Sequence, residues 1–97
     1  MEIEKIINAD TLTIKLSGNL DSSTSTDFEN QIKDDLINIS SLILDFKQVG
    51  YISSKGIRVI LQLNKIMKQQ GSMKIINCNP AVIEVFTISG LTKILNL

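Results

Sequence analysis

Chemistry in a chain of this size has to come from a handful of side chains, and most of the usual candidates are missing. The sequence contains no histidine, which removes the commonest general base and the commonest metal ligand. Its single cysteine, Cys78, can neither close an internal disulfide nor assemble a zinc site. Gly18, Gly50, Gly56, Gly71 and Gly90 are scattered and read as isolated punctuation, so no glycine-rich phosphate loop exists. Asp34 and Asp35 are adjacent, would point to different sides of a helix, and read as a solvated face. No catalytic residue, metal ligand or cofactor is therefore assigned. One segment differs: Tyr51-Ile52-Ser53-Ser54-Lys55-Gly56-Ile57 follows an apolar run and opens a helical pattern. Free backbone N–H groups and the helix dipole favour an anion at such a point, although a serine there ordinarily serves as an N-cap.

The elements that must position this segment are legible from periodicity. Thr11 to Leu16 alternates strictly, with Leu12, Ile14 and Leu16 on one face, as in a half-buried strand. Glu2–Ile7 is expected to pair with it through a turn at Asn8-Ala9-Asp10. The hydroxyl-rich run Ser22–Thr26 can cap a helix whose apolar residues Phe28, Ile32 and Leu36 recur every four positions, giving a helix over about 23–37. Leu42–Phe46 is almost continuously apolar, as expected of a strand covered on both faces. A second helix begins near Ser54, with Ile57, Val59, Ile60, Leu61, Leu63, Ile66 and Met67 in a broad apolar arc and Lys55, Arg58, Lys65 and Lys68 on the opposite one. Gly71 is expected to end it. Met73–Cys78 reads as a strand, Pro80 starts a short third helix, and Gly90 ends that. This order predicts an α/β domain: a mixed sheet of four or five strands with helices packed mainly on one face.

Composition narrows the function classes. Apolar residues make up 43% of the 97, enough to exclude a composition-driven disordered chain. Phe28, Phe46, Tyr51 and Phe86 are the only aromatics, too few for a base-stacking platform, so no direct nucleic-acid binding is expected. No apolar run approaches the length of a membrane span, and Met1 opens onto charged residues, so a cytoplasmic protein without membrane insertion is expected. The zero net charge hides an asymmetry. Up to residue 48 there are nine acids against four bases, and beyond it one acid against six bases, or −5 and +5 for the two halves.

Residues Leu42–Arg58, Leu-Ile-Leu-Asp-Phe-Lys-Gln-Val-Gly-Tyr-Ile-Ser-Ser-Lys-Gly-Ile-Arg, resemble the central motif of STAS domains, the anti-sigma factor antagonists. In that motif an apolar–Asp–apolar strand leads through a short loop to Asp-Ser-(Ser/Thr)-Gly-Leu-Gly at a helix start. Gly18-Asn19-Leu20-Asp21 is similar to the family's Gly-x-Leu-Asp turn, and Asn79-Pro80-Ala81-Val82, with Phe86 and Ser89-Gly90-Leu91, to its later segment. Together these span roughly residues 11–97 in the family's order. The resemblance implies a non-enzymatic partner of a serine-kinase-type anti-sigma factor. It places the phosphoacceptor at Ser54, the neighbouring loop aspartate at Asp21, and a partner-binding surface over Asp21, Ser53, Ser54, Lys55, Ile57 and Arg58. Ser53 stands where the family has aspartate, Lys55 where it has serine or threonine, and Arg58 where it has glycine. Two further readings stay open: a STAS domain locked in one state as an adaptor subunit of a larger signalling or transport complex, and a small enzyme or anion-binding protein using the same helix start.

Overall fold

A computed structural model describes all of residues 1–97. Alternation along Thr11–Ser17 (β2) turns Leu12, Ile14 and Leu16 into the core, and the hairpin partner Glu2–Asn8 (β1) pairs with it antiparallel through the expected turn, with Ala9 at φ +57. Ser41–Gln48 (β3) then pairs parallel to β2, and Ser72–Ile76 (β4) parallel to β3. Strand order in the sheet is β1-β2-β3-β4, a mixed four-stranded sheet as the sequence predicts.

Two corrections concern its faces and its first helix. Leu42, Leu44 and Phe46 of β3 are buried, but the alternate residues Ile43 and Asp45 are only half-buried. β3 is therefore covered by helices on one face only. Its apolar run comes from filling the outer face with Ile43, flanked by Thr13 of β2 and Lys74 of β4, not from a second layer. Asp45 sits on the same outer face. Burial opposes its charge, but hydrogen bonds from Asn77 Nδ2 and the Lys47 amide, both 3.0 Å, outweigh that and hold its carboxyl below the usual range. The first helix, α1, is shorter than its periodicity suggests: it runs Ser22–Ile32 and tightens into a 3-10 turn at Lys33–Leu36, which keeps Leu36 buried beside Phe28 and Ile32.

The second helix, α2, spans Ser54–Lys68 and buries Val59, Ile60, Leu63 and Met67 against the sheet. Its last turn closes on Gln69, so Gly71 is not the helix terminator. Instead a Cβ there would collide with the Ser40 carbonyl, and Ser72 donates to that same carbonyl at 2.9 Å. Gly71 is what allows the chain entering β4 to run against the start of β3. The third helix, α3 (Pro80–Ile88), has Pro80 at its first position and packs Phe86 against Phe46 with ring centroids 6.5 Å apart. Leu91 and Leu95 of the closing turns are buried too. All three helices cover the one face carrying Leu12, Ile14, Leu42 and Leu44, each completely buried. Burying such a side chain stabilises the fold by roughly 1.5–3 kcal/mol. No helix is long and apolar enough to cross a membrane.

Candidate functional site

The site is built where two chain segments leave the sheet side by side. After β2, Leu20 forms an isolated parallel bridge with Ile52, in the loop between β3 and α2. Leu20 N donates to Tyr51 O at 3.0 Å and Ser53 N donates to Leu20 O at 2.8 Å. Leu20 and Ile52 are both buried, which anchors the bridge. In a parallel pair the next residues, Asp21 and Ser53, are neighbours, and each is the N-cap of the helix it opens. The third helix starts at the same end of the sheet. Its N-cap Asn79 accepts from Val82 N at 2.8 Å, while its Nδ2 donates to Val49 O at 3.1 Å, tying α3 to the loop before α2. Three helix N-termini thus gather beyond the carboxyl ends of the parallel strands, where α/β proteins commonly place their sites.

Each predicted residue can be placed on this platform. Asp21 Oδ1 accepts from the amides of Thr24 and Ser23 and from both of their hydroxyls, at 2.9–3.1 Å. The cap of α1 is therefore this carboxylate, where the hydroxyl run Ser22–Thr26 was expected, and Thr24 completes a capping box by accepting from Asp21 N. The Thr24 amide, then the Ser23 hydroxyl and amide, hold the Asp21 carboxyl down at about 2. Because its folded pKa lies below the ordinary 3.8, its contribution is present above about pH 4 and is lost as pH falls towards 2. Asp21→Ala should accordingly lower the melting temperature at pH 7, with the gap to the parent closing at pH 2. An unchanged gap across that range would mean the cap works without its charge.

Ser53 and Ser54 are distinguished by geometry that the sequence alone leaves equivalent. Ser53 is half-buried, and its Oγ accepts from Gly56 N at 3.2 Å. Ser54 is the first helical residue and exposed, and its hydroxyl has no partner. The amides of Ser54 and Lys55, at the first two helical positions, lack intrahelical acceptors. Lys55 and Arg58 are exposed, and Ile57 is half-buried and leans on the core, so it contributes to both core and surface. Asp21, Ser53, Ser54, Lys55 and Arg58 thus share one end of the molecule.

Three residues of segments that the sequence analysis quoted have roles it did not assign. Tyr51 is 52% exposed in the loop immediately before the platform. Asn79 braces that loop, a role signalled only by its place before Pro80. Gly56 is a close-approach position: a Cβ on it would lie 2.7 Å from Leu20 O and 2.8 Å from Ile52 Cγ1.

Little here could perform covalent chemistry. The thiol of Cys78 is half-buried, and burial pushes it up to about 11, so it stays protonated and a poor nucleophile at neutral pH. No three His, Cys, Asp or Glu side chains converge to hold a metal ion. What the platform offers is a partly charged end on which Ser54, unlike its neighbour Ser53, presents an exposed hydroxyl without a partner.

Residues 2–97 match the family model for the STAS domain, and the chain belongs to that family. It is 32% identical over 99 residues to the anti-sigma F factor antagonist of Paenibacillus polymyxa, aligning 98% of this chain with 84% of that protein. Its fold is also that of the anti-sigma factor antagonist SpoIIAA. The unphosphorylated form superposes with a TM-score of 0.81 at 22% identity, over 95% of this chain and 84% of that one. The phosphorylated form from Bacillus does so with a TM-score of 0.75 at 21% identity, over 95% and 86%.

Proposed function

We propose that this chain is an anti-sigma factor antagonist, a protein that catalyses nothing itself, binds a serine-kinase-type anti-sigma factor, and is switched by phosphorylation at Ser54. The observation that carries the reading is the contrast between two adjacent serines: one hydroxyl spent on capping α2, the other exposed and free at the first helical position. A kinase needs a hydroxyl it can reach without unfolding its substrate, and Ser54 supplies one.

The surface that would meet the partner comprises Asp21, Ser53, Ser54, Lys55, Ile57 and Arg58, with Tyr51 beside it. Exposed aromatic and arginine side chains are the types most often found to anchor protein interfaces. A phosphate adds about −1.5 to −2 charges at neutral pH. Within this chain the helix start tolerates it, because unpaired amides and the dipole face it. An interface that must desolvate Ser54 does not.

The test is to incubate the protein with the serine-kinase anti-sigma factor of its own genome and ATP, then map the product by mass spectrometry. One phosphate on Ser54 is expected, retained in Ser53→Ala and absent in Ser54→Ala. A tight complex that never incorporates phosphate would instead make the chain an unswitched adaptor. Phosphate on Ser53 would overturn the assignment of the acceptor.

A further inference from the structure

α2 presents to solvent a row of cations that form no ion pair within this molecule. Lys55, Arg58, Lys65 and Lys68 follow one another at spacings of three, seven and three residues, with Gln62 filling the gap, so successive members are neighbours on one side of the helix. All are exposed. The chain's two ion pairs, Lys5–Asp35 at 2.7 Å and Lys15–Glu4 at 3.9 Å, lie on β1 and its neighbours and involve none of them. The row runs about 20 Å along the helix axis from the residue next to Ser54. The buried side of α2 faces the opposite way, towards Val59, Ile60, Leu63 and Met67, so none of these cations is needed to pack the helix.

We propose that this row is a docking rail for an acidic protein surface, and that it selects the partner by charge; the proposal rests on the antagonist reading above. Four like charges held along one helix without an ion-pair partner repel one another, and an acidic surface of matching length relieves that repulsion on contact. The occupant is a protein patch and not an extended polyanion, because the row is bordered by an acid at the end nearest Ser54. That acid is Glu29 of α1, which lines the shallow groove shared with Lys55 and Arg58. A membrane or nucleic acid, uniformly negative over a larger area, would press against Glu29 as well as the cations. A partner patch of limited width meets the cations alone. A phosphate on Ser54 would sit at the N-terminal end of the row, against the approaching acids, so rail and switch would act on the same partner surface.

The decisive measurement is titration calorimetry of the full chain with the serine-kinase anti-sigma factor of its own genome, at low and at physiological salt, for the parent and for Arg58→Glu/Lys65→Glu. Circular dichroism melting confirms folding, and Arg58→Gln/Lys65→Gln serves as the milder pair. The charge-reversed pair is expected to weaken binding by at least 30-fold at low salt, the neutral pair by about tenfold, and both to flatten the salt dependence seen in the parent. Reversing acids on the partner should restore the charge-reversed pair. Affinity and salt dependence unchanged in both variants, with Ser54 still phosphorylated, would overturn the rail and leave the antagonist reading standing. No binding and no phosphorylation of the parent would overturn both. Retention of the parent, but not of the variants, on vesicles rich in phosphatidylglycerol or on single-stranded RNA would assign the row to a polyanion and likewise end the proposal.

Discussion

Gly56→Val is expected to unfold the candidate site before it touches any partner. A Cβ at position 56 would press on the Leu20 carbonyl, and that oxygen already accepts the Ser53 amide at 2.8 Å. The second obstacle, Ile52 Cγ1, belongs to a buried side chain whose partner in the bridge is Leu20 itself. Neither neighbour can retreat without opening the junction that sets α1 and α2 side by side. Overpacking costs typically 1–3 kcal/mol and more where the obstacle is backbone. Against that stands roughly 0.5–1 kcal/mol gained by removing a glycine from a helix interior. The net expectation is a loss of about 3 kcal/mol for valine, with a fall in melting temperature of about 15 °C for a domain of this size. Gly50→Ala is the control. Its Cβ would meet only Asn19 Oδ1 at 3.2 Å, the tip of an exposed side chain, and the change should stay within about 0.5 kcal/mol. Thermal melts of the two variants side by side decide the matter, and equal losses would show that the Leu20–Ile52 junction yields more easily than its geometry implies.

Phosphorylation of Ser54, or its replacement by Ser54→Asp, is expected to cut affinity for the anti-sigma factor on the order of a hundredfold, about 2.7 kcal/mol. The loss has a physical source in the cost of burying an unpaired charge, several kcal/mol, reduced because an interface rim retains some water. Ser54→Ala should bind within about threefold of the parent, since the free hydroxyl gives up no intramolecular bond. Lys55 moderates the effect. It follows Ser54 directly, and adjacent residues on a helix start do not face each other, so its pairing with a phosphate is loose and worth no more than about 1 kcal/mol. In a Lys55→Ser background the gap between phosphorylated and unphosphorylated forms should therefore widen. Binding measured by surface plasmon resonance for the four proteins tests this. Equal affinity of phosphorylated and unphosphorylated forms would remove Ser54 from the interface.

Much of this was readable from residues alone, for reasons that differ from element to element. The alternation of Leu12, Ile14 and Leu16, and the four-residue recurrence of Phe28, Ile32 and Leu36, report burial directly because periodicity and exposure are the same physical fact. The position of Ser54 followed from the change in period between Phe46 and Ile57. What stayed hidden depends on contacts between segments distant in sequence. Nothing local distinguishes Gly56 or Gly71 from turn glycines; the Leu20 and Ser40 carbonyls that exclude a side chain lie about 30 positions away. The same holds for Asn79, whose partner is the Val49 carbonyl. β3 misled by its composition, since a strand flanked on both edges hides half of an outward Ile43 with no layer above it. The cap of α1 misled because five hydroxyls surround one carboxylate, and the carboxylate, with its full charge, won the amides.

The order of strands across the sheet equals their order along the chain. During synthesis each new strand therefore joins an edge that is already paired on its other side, and no strand has to be wedged between two others. The hairpin β1–β2 comes first, its apolar side open until α1 emerges to cover it; β3 and then β4 extend the same edge. Growth by accretion of this kind adds every new strand at one edge while β1 keeps the other, so no stage exposes more sticky backbone than the two edges of an open sheet. Lys5, opposite Ile14 on β1 and drawn down to Asp35, blunts the other edge with charge, so the sheet has one direction in which to grow.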